Sequence, residues 1–263
     1  MDGGINTLNT NNEPSKFSTS PHFIAYLDIL GYKEKVIKDG GVKLAKTIDS
    51  TLDSAVDFAK WFLGHSDDVV LDSDIKIKAF SDNILICTEK RWDLLFLMAG
   101  FLQHRMIGDG CFIRGALCHS ELYFDERFLF GKGIIMAHEI ESRIARFPRI
   151  ILHSSFKKAV SDTERDDIIF DAFTCVAGML PLYLHDSDGY MFLNYLQMPH
   201  EAQESLDKIN LADMLAAHRD RVKYNVKDCE ERYLSKDLMG KFLWCAQYHN
   251  HFCNKNGYEN YVI

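Results

Sequence analysis

The chain has 263 residues, of which 47% are hydrophobic and 26% charged, with a formal net charge of −8 at pH 7. That length holds one large domain or two small ones, and that composition fits a packed core rather than disorder. The acidic balance argues against a broad nucleic-acid or anionic-membrane surface, while leaving room for a small basic pocket that takes a triphosphate. No apolar run approaches the roughly 18 residues of a membrane span, so no transmembrane helix is expected. The opening stretch MDGGINTLNTNNEPSKFSTS lacks a hydrophobic core and is expected to be a flexible tail over residues 1–20, not a secretory signal. Seven cysteines, odd in number and set mostly inside apolar runs, suit buried reduced thiols in a cytoplasmic protein better than a disulfide framework.

His22 to Leu27 is apolar without clean alternation, which suits a central strand covered on both faces. Gly31 follows, where a loop could bring backbone N–H groups to a phosphate. Leu44, Ala45, Ile48, Leu52, Ala55, Val56, Ala59 and Phe62 recur at helical spacing and predict a helix over 42–63. Ile75–Phe80 and Ile84–Thr88 form a hairpin around the turn Ser81-Asp82-Asn83. A helix is expected from Arg91 to Ile107, stopped at Gly108-Asp109-Gly110. Strands are expected at Cys111–Leu117 and Glu121–Phe124, then a helix from Ile134 to Phe147 closed by Pro148, then a strand at Arg149–His153. Past residue 160 the pattern is less regular. Short strands are expected at Leu180–Leu184 and Tyr190–Tyr195, then helices from His200 to Tyr224 and from Asp228 to Phe252, with Trp244, Tyr248 and Phe252 on one face. The order is close to the ferredoxin-like βαββαβ plan, an α+β fold with helices on one face of an antiparallel sheet.

Two aspartates stand at the ends of strand-like runs: Asp28 in FIAYLDILGYKEK and Asp82 in IKIKAFSDNILIC. In this topology the two positions are neighbours over one edge of the sheet. Paired hard-oxygen ligands of that kind hold two divalent ions that activate a hydroxyl and neutralise a triphosphate. Either aspartate alone is equally a turn or cap residue. Cys245, His249, His251 and Cys253 in WCAQYHNHFC do not have a standard zinc spacing, and ordinary helix-face packing is the expectation there. No Ser-His-Asp order, Walker-type phosphate loop, G-x-S-x-G elbow or G-G-[DE]-E-F hairpin is present.

The run LDILG (27–31), FSD (80–82), RGA (114–116) and GKGIIMAHEIESRIARFPRII (131–151) resembles the class III nucleotidyl cyclase catalytic domain. It is most similar to the pyrimidine cyclases of bacterial anti-phage (Pycsar) systems. The similarity spans about residues 22–155. It implies a cyclase domain over 21–197 and a helical extension over 198–263. It also implies conversion of UTP or CTP to the 3′,5′-cyclic monophosphate and pyrophosphate, as a signal to a separate effector.

On this resemblance Asp28, Asp82 and the Ile29 backbone would hold two Mg²⁺ or Mn²⁺ ions, and Ile29, Leu30 and Gly31 would bind the triphosphate. The enzyme would be a head-to-tail homodimer with no nucleic-acid or membrane partner. Adenylate cyclases carry an Asn and an Arg on the helix after the fifth strand, and the matching positions here are Ile135 and Glu139. Arg143, Arg146 or Arg114 could take the transition-state role. Lys78 stands where adenylate cyclases place a purine-reading lysine, and its ammonium suits uracil carbonyls as well. A purine cyclase and a non-catalytic binding module therefore stay open beside the pyrimidine reading.

Overall fold

The computed structural model describes residues 17–63, 75–162, 181–202 and 210–263. Strand β1 (Ser20–Leu30) leads through Gly31 into α1 (Tyr32–Asp39) and α2 (Gly41–Phe62). The hairpin β2 (Lys76–Phe80) and β3 (Asn83–Thr88) is followed by α3 (Trp92–Gly108). Then come β4 (Phe112–Phe124), β5 (Leu129–Phe130), α4 (Lys132–Arg143), β6 (Ile150–Leu152) and α5 (Ser154–Asp162). The later part holds β7 (Tyr183–His185), β8 (Met191–Leu193), α6 (Gln197–Ala202), α7 (Leu211–Glu231) and α8 (Lys236–Asn256). The strands join in one mixed sheet of order β2-β3-β1-β4-β6-β8-β7, with β5 paired to β4. The fold is α+β. All ladders are antiparallel except β4–β6.

β1 is central and buried from His22 to Ile29 apart from its ends, which explains the missing polar alternation in its sequence. Its residues sort by parity. Phe23, Ala25, Leu27 and Ile29 pack with Leu44, Ile48, Ala55 and Phe58 of α2 and with α3. Ile24 and Tyr26 pack with Ala137 and Ile140 of α4 and with Trp244 and Tyr248 of α8. Helices therefore cover both faces, where the ferredoxin-like plan placed them on one. The reason is that α4, α7 and α8 also need a partner for their apolar stripes.

Several boundaries differ from expectation. The two strands read at Cys111–Leu117 and Glu121–Phe124 are one strand, because β1 supplies a continuous ladder from Ser20↔Leu122 to Leu30↔Phe112. Helix α4 stops at Arg143, with Ile144 as its C-cap, instead of running to Phe147. The segment read as a phosphate loop after Gly31 is the short helix α1, and α5 lies where no helix was read.

The C-terminal helices start later than expected, at caps visible in the sequence. Asn210 accepts from the Asp213 N–H and Ser235 from the Leu238 N–H. The expected tail is shorter too. Phe17 already packs edge-on against Tyr123 at 5.3 Å, and β1 begins at Ser20, whereas residues 1–16 lie outside the described residues. Leu180 of the expected Leu180–Leu184 strand also lies outside them. Among the described residues no helix is long and apolar enough to cross a membrane.

Candidate active site

Asp28 sits inside β1, paired across the sheet with Asn83 of β3 and Arg114 of β4. Alternation puts its side chain on the same face as Tyr26, towards α4. Asp82 occupies the β2–β3 turn, whose tightness forces Ser81 to φ 54°. The Ile29 N–H donates to the Asp82 carbonyl at 2.8 Å, so the strand carrying one aspartate is tied directly to the turn carrying the other. Asn83 Nδ2 donates to Asp82 Oδ1 at 2.9 Å and orients that carboxylate.

Arg114 completes the arrangement. Its Nε donates to Asp28 Oδ2 at 2.7 Å, and its Nη2 approaches Glu141 Oε1 of α4 to 2.6 Å. The second contact is a close ion pair without hydrogen-bond alignment, since the same Glu141 oxygen has no hydrogen-bond partner. Burial raises the Glu141 carboxyl above its usual range; Arg114 opposes the rise and Asp28 adds to it. The Tyr26 phenol is pushed up to about 12, first by burial and then by the charges of Glu141, Asp28 and Asp82. That phenol senses all three carboxylates.

Asp28 and Asp82, on segments tied by the Ile29–Asp82 backbone bond, are the two carboxylates that a divalent cation would take here, and Arg114 already holds one of them. Among the described residues no group of three His, Cys, Asp or Glu side chains is arranged as a ready-made metal cage. The groups that would hold such an ion are Asp28, Asp82 and the Ile29 carbonyl. The Ile29 N–H, expected to face a phosphate, is already committed to Asp82. Leu30 lies in the β1–β4 ladder. Gly31 has φ 76° and open space where a Cβ would stand, and it caps α1, whose first-turn N–H groups have no intrahelical partner.

The remaining expected residues are not gathered there. Arg143 is 77% exposed and pairs with Glu139 at 3.8 Å on the outer side of α4. Ile135 and Arg146 are exposed as well. Lys78 lies on the edge strand β2, with its ammonium 5.3 Å above the Phe124 ring and 3.3 Å from the Glu126 carbonyl. Glu141 was not anticipated. The signal available was its place in the last turn of α4 on the face of Ala137 and Ile140, an acid within an apolar stripe.

Cys245, His249 and Cys253 are buried in the C-terminal core and His251 is exposed. His249 stacks on His218 with rings 4.9 Å apart and bonds the Tyr261 carbonyl at 2.9 Å. That is packing, as expected. No protein-family model and no curated protein matches the chain.

Proposed function

We propose that the protein is a nucleotidyl cyclase of class III type that converts UTP or CTP to the 3′,5′-cyclic monophosphate and pyrophosphate. The observation that carries the reading is the Ile29 N–H to Asp82 carbonyl bond, which fixes the Asp28 strand against the Asp82 turn. The strand order β2-β3-β1-β4, with α2 and α3 as the crossovers, supports a ferredoxin-like βαββαβ core in this reading. When bound, two Mg²⁺ or Mn²⁺ ions would lower the pKa of the ribose 3′-hydroxyl and neutralise the triphosphate. The 3′-oxygen attacks the α-phosphorus, the bond to the β-phosphate oxygen breaks, and pyrophosphate leaves.

The chain's own residues have separate tasks. Asp28 and Asp82 would hold the ions, and Arg114 fixes the Asp28 carboxylate. Open N–H groups at the start of α1, beyond Gly31, receive phosphate oxygens. The exposed face of α4, with Ile135, Arg143 and Arg146, would meet a second copy, so that Arg143 or Arg146 reaches the partner's triphosphate in a head-to-tail homodimer. Lys78 would turn from Phe124 towards a base carbonyl. The cyclic product would act on a separate effector, and the resemblance gives anti-phage defence as the setting.

Two readings compete. Lys78 favours a purine triphosphate. The Arg114–Asp28 ion pair favours a non-catalytic nucleotide-binding or partner-binding module, because it already satisfies one of the two carboxylates. Asp28→Asn and Asp82→Asn separate catalysis from the module: both should abolish turnover with the fold intact. Turnover that survives both substitutions would refute the two-metal reading.

A further inference from the structure

A second polar cleft lies beside α1, lined by Lys35, Asp39, Lys43, Thr47, Asp109 and Arg221 together with Leu44 and Gly108. Its volume is about 240 Å³, below the roughly 300–1,000 Å³ of pockets that take drug-sized ligands. It is therefore sized for an inorganic anion rather than a whole nucleotide. Three cations face two carboxylates. Asp39 is spent on Lys35, paired at 3.3 Å, and Lys35 also donates to the Asp109 carbonyl.

The other two cations are not spent. Among the described residues neither Arg221 nor Lys43 has a side-chain hydrogen bond or ion pair, although Arg221 is only partly exposed. The Arg221 guanidinium lies beside Gly110, where an added Cβ would sit 3.0 Å from its Cζ. Gly110 has φ 78°, so a side chain there is disfavoured twice over. A guanidinium with unused donors, lining the cleft beside a glycine, presents a planar fork to an oxyanion. The field in the cleft is positive enough to hold the Asp39 carboxyl below its usual range, through the Lys35 hydrogen bond first and the Lys43 and Lys38 charges after it.

We infer that this cleft is an anion site for a diphosphate group, with Arg221 and Lys43 as its main ligands and Thr47 at its wall. The inference is independent of the cyclase reading. It joins four parts of the chain: α1, which follows β1 through Gly31; the start of α2, which carries Lys43 and Thr47; the α3–β4 junction, shortly before Arg114; and α7 of the C-terminal helices. A bound diphosphate would therefore clamp α7 to the start of α2, beside the α3–β4 junction that leads to Arg114.

The test is calorimetric titration of the full chain with sodium pyrophosphate in EDTA at physiological ionic strength. It is run on the wild type, Arg221→Glu, Lys43→Glu and Asp28→Asn, with melting curves as a check on folding. The wild type should bind at one site, Asp28→Asn should bind equally, and each charge reversal should weaken binding by at least about tenfold. Lys43 is exposed, so Lys43→Glu keeps the test valid if Arg221→Glu fails to fold. No binding by the wild type, undiminished binding by the folded charge reversals, or loss of binding in Asp28→Asn would each overturn the inference.

Discussion

Asp28 and Arg114 are Cα partners across β1 and β4, and the Arg114 guanidinium holds the Asp28 carboxylate at 2.7 Å while its other arm reaches Glu141. One cation thus keeps two partly buried carboxylates from facing each other. Removing it leaves an uncompensated pair of acids. Arg114→Ala should lower unfolding stability by about 1–3 kcal/mol, below the range for a fully buried pair because these side chains retain some solvent. Glu141→Gln added to Arg114→Ala should recover most of the loss in urea unfolding. A double variant as unstable as the single one would contradict the electrostatic account.

Gly115 follows Arg114, and a Cβ there would stand 2.3 Å from the Tyr26 carbonyl oxygen. Backbone cannot yield as a flexible side chain can. Gly115→Ala should therefore cost about 2–4 kcal/mol and disturb the β1–β4 ladder beside Asp28, reducing any turnover along with stability. Gly100→Ala meets only the end of the Met198 side chain and should cost less. Chemical denaturation of the two variants side by side checks the ranking.

Arg149 is fully buried and paired with Asp186 and Asp188, and its guanidinium lies 5.3 Å from the Phe147 ring centroid and 5.9 Å from that of Trp244. Trp244 Nε1 donates to the same Asp186 at 2.7 Å, which anchors α8 to the β7–β8 turn. Arg149→Ala should destabilise the protein by about 3–5 kcal/mol by stranding two acids. The triple change Arg149→Leu, Asp186→Asn, Asp188→Asn should recover part of it.

How much of this was legible in the sequence varies by element. The β2–β3 hairpin, α2 and α3 were readable because turn residues and apolar spacing are local signals. The adjacency of Asp28 and Asp82 followed from strand order alone. The ion pair was not readable, since Arg114 and Glu141 meet Asp28 only through register and through helix α4, which the alternation of β1 brings to its even-numbered face. Helix α1 was hidden by its short length, its lack of a buried apolar stripe and a glycine at each end. The cleft at Arg221 was equally hidden, because it joins residues nearly the whole domain apart in sequence.

His104, His218 and His249 are buried and held neutral. Burial pushes His104 down to about 3 and lowers the other two, with the neighbouring histidines adding at His218. In the unfolded chain each imidazole takes a proton near pH 6.5, which the folded state refuses. Unfolded protein then binds more protons, so stability is full above about pH 6.5 and falls as pH drops towards the folded values. Each histidine contributes up to about 1.4 kcal/mol per pH unit in that window. Urea midpoints measured from pH 7.5 down to pH 5 should decline steadily; flat midpoints would show that these rings are not buried neutral.

The most direct measurement is incubation of the purified protein with Mn²⁺ and ATP, GTP, CTP or UTP separately, with products identified by mass. The account predicts a cyclic monophosphate and pyrophosphate from a pyrimidine triphosphate, UTP ahead of CTP, lost in Asp82→Asn. A cyclic purine product would keep the reaction and reassign the base to Lys78. No cyclic product from any of the four, with the nucleotide still bound, would contradict the central claim and leave a binding module.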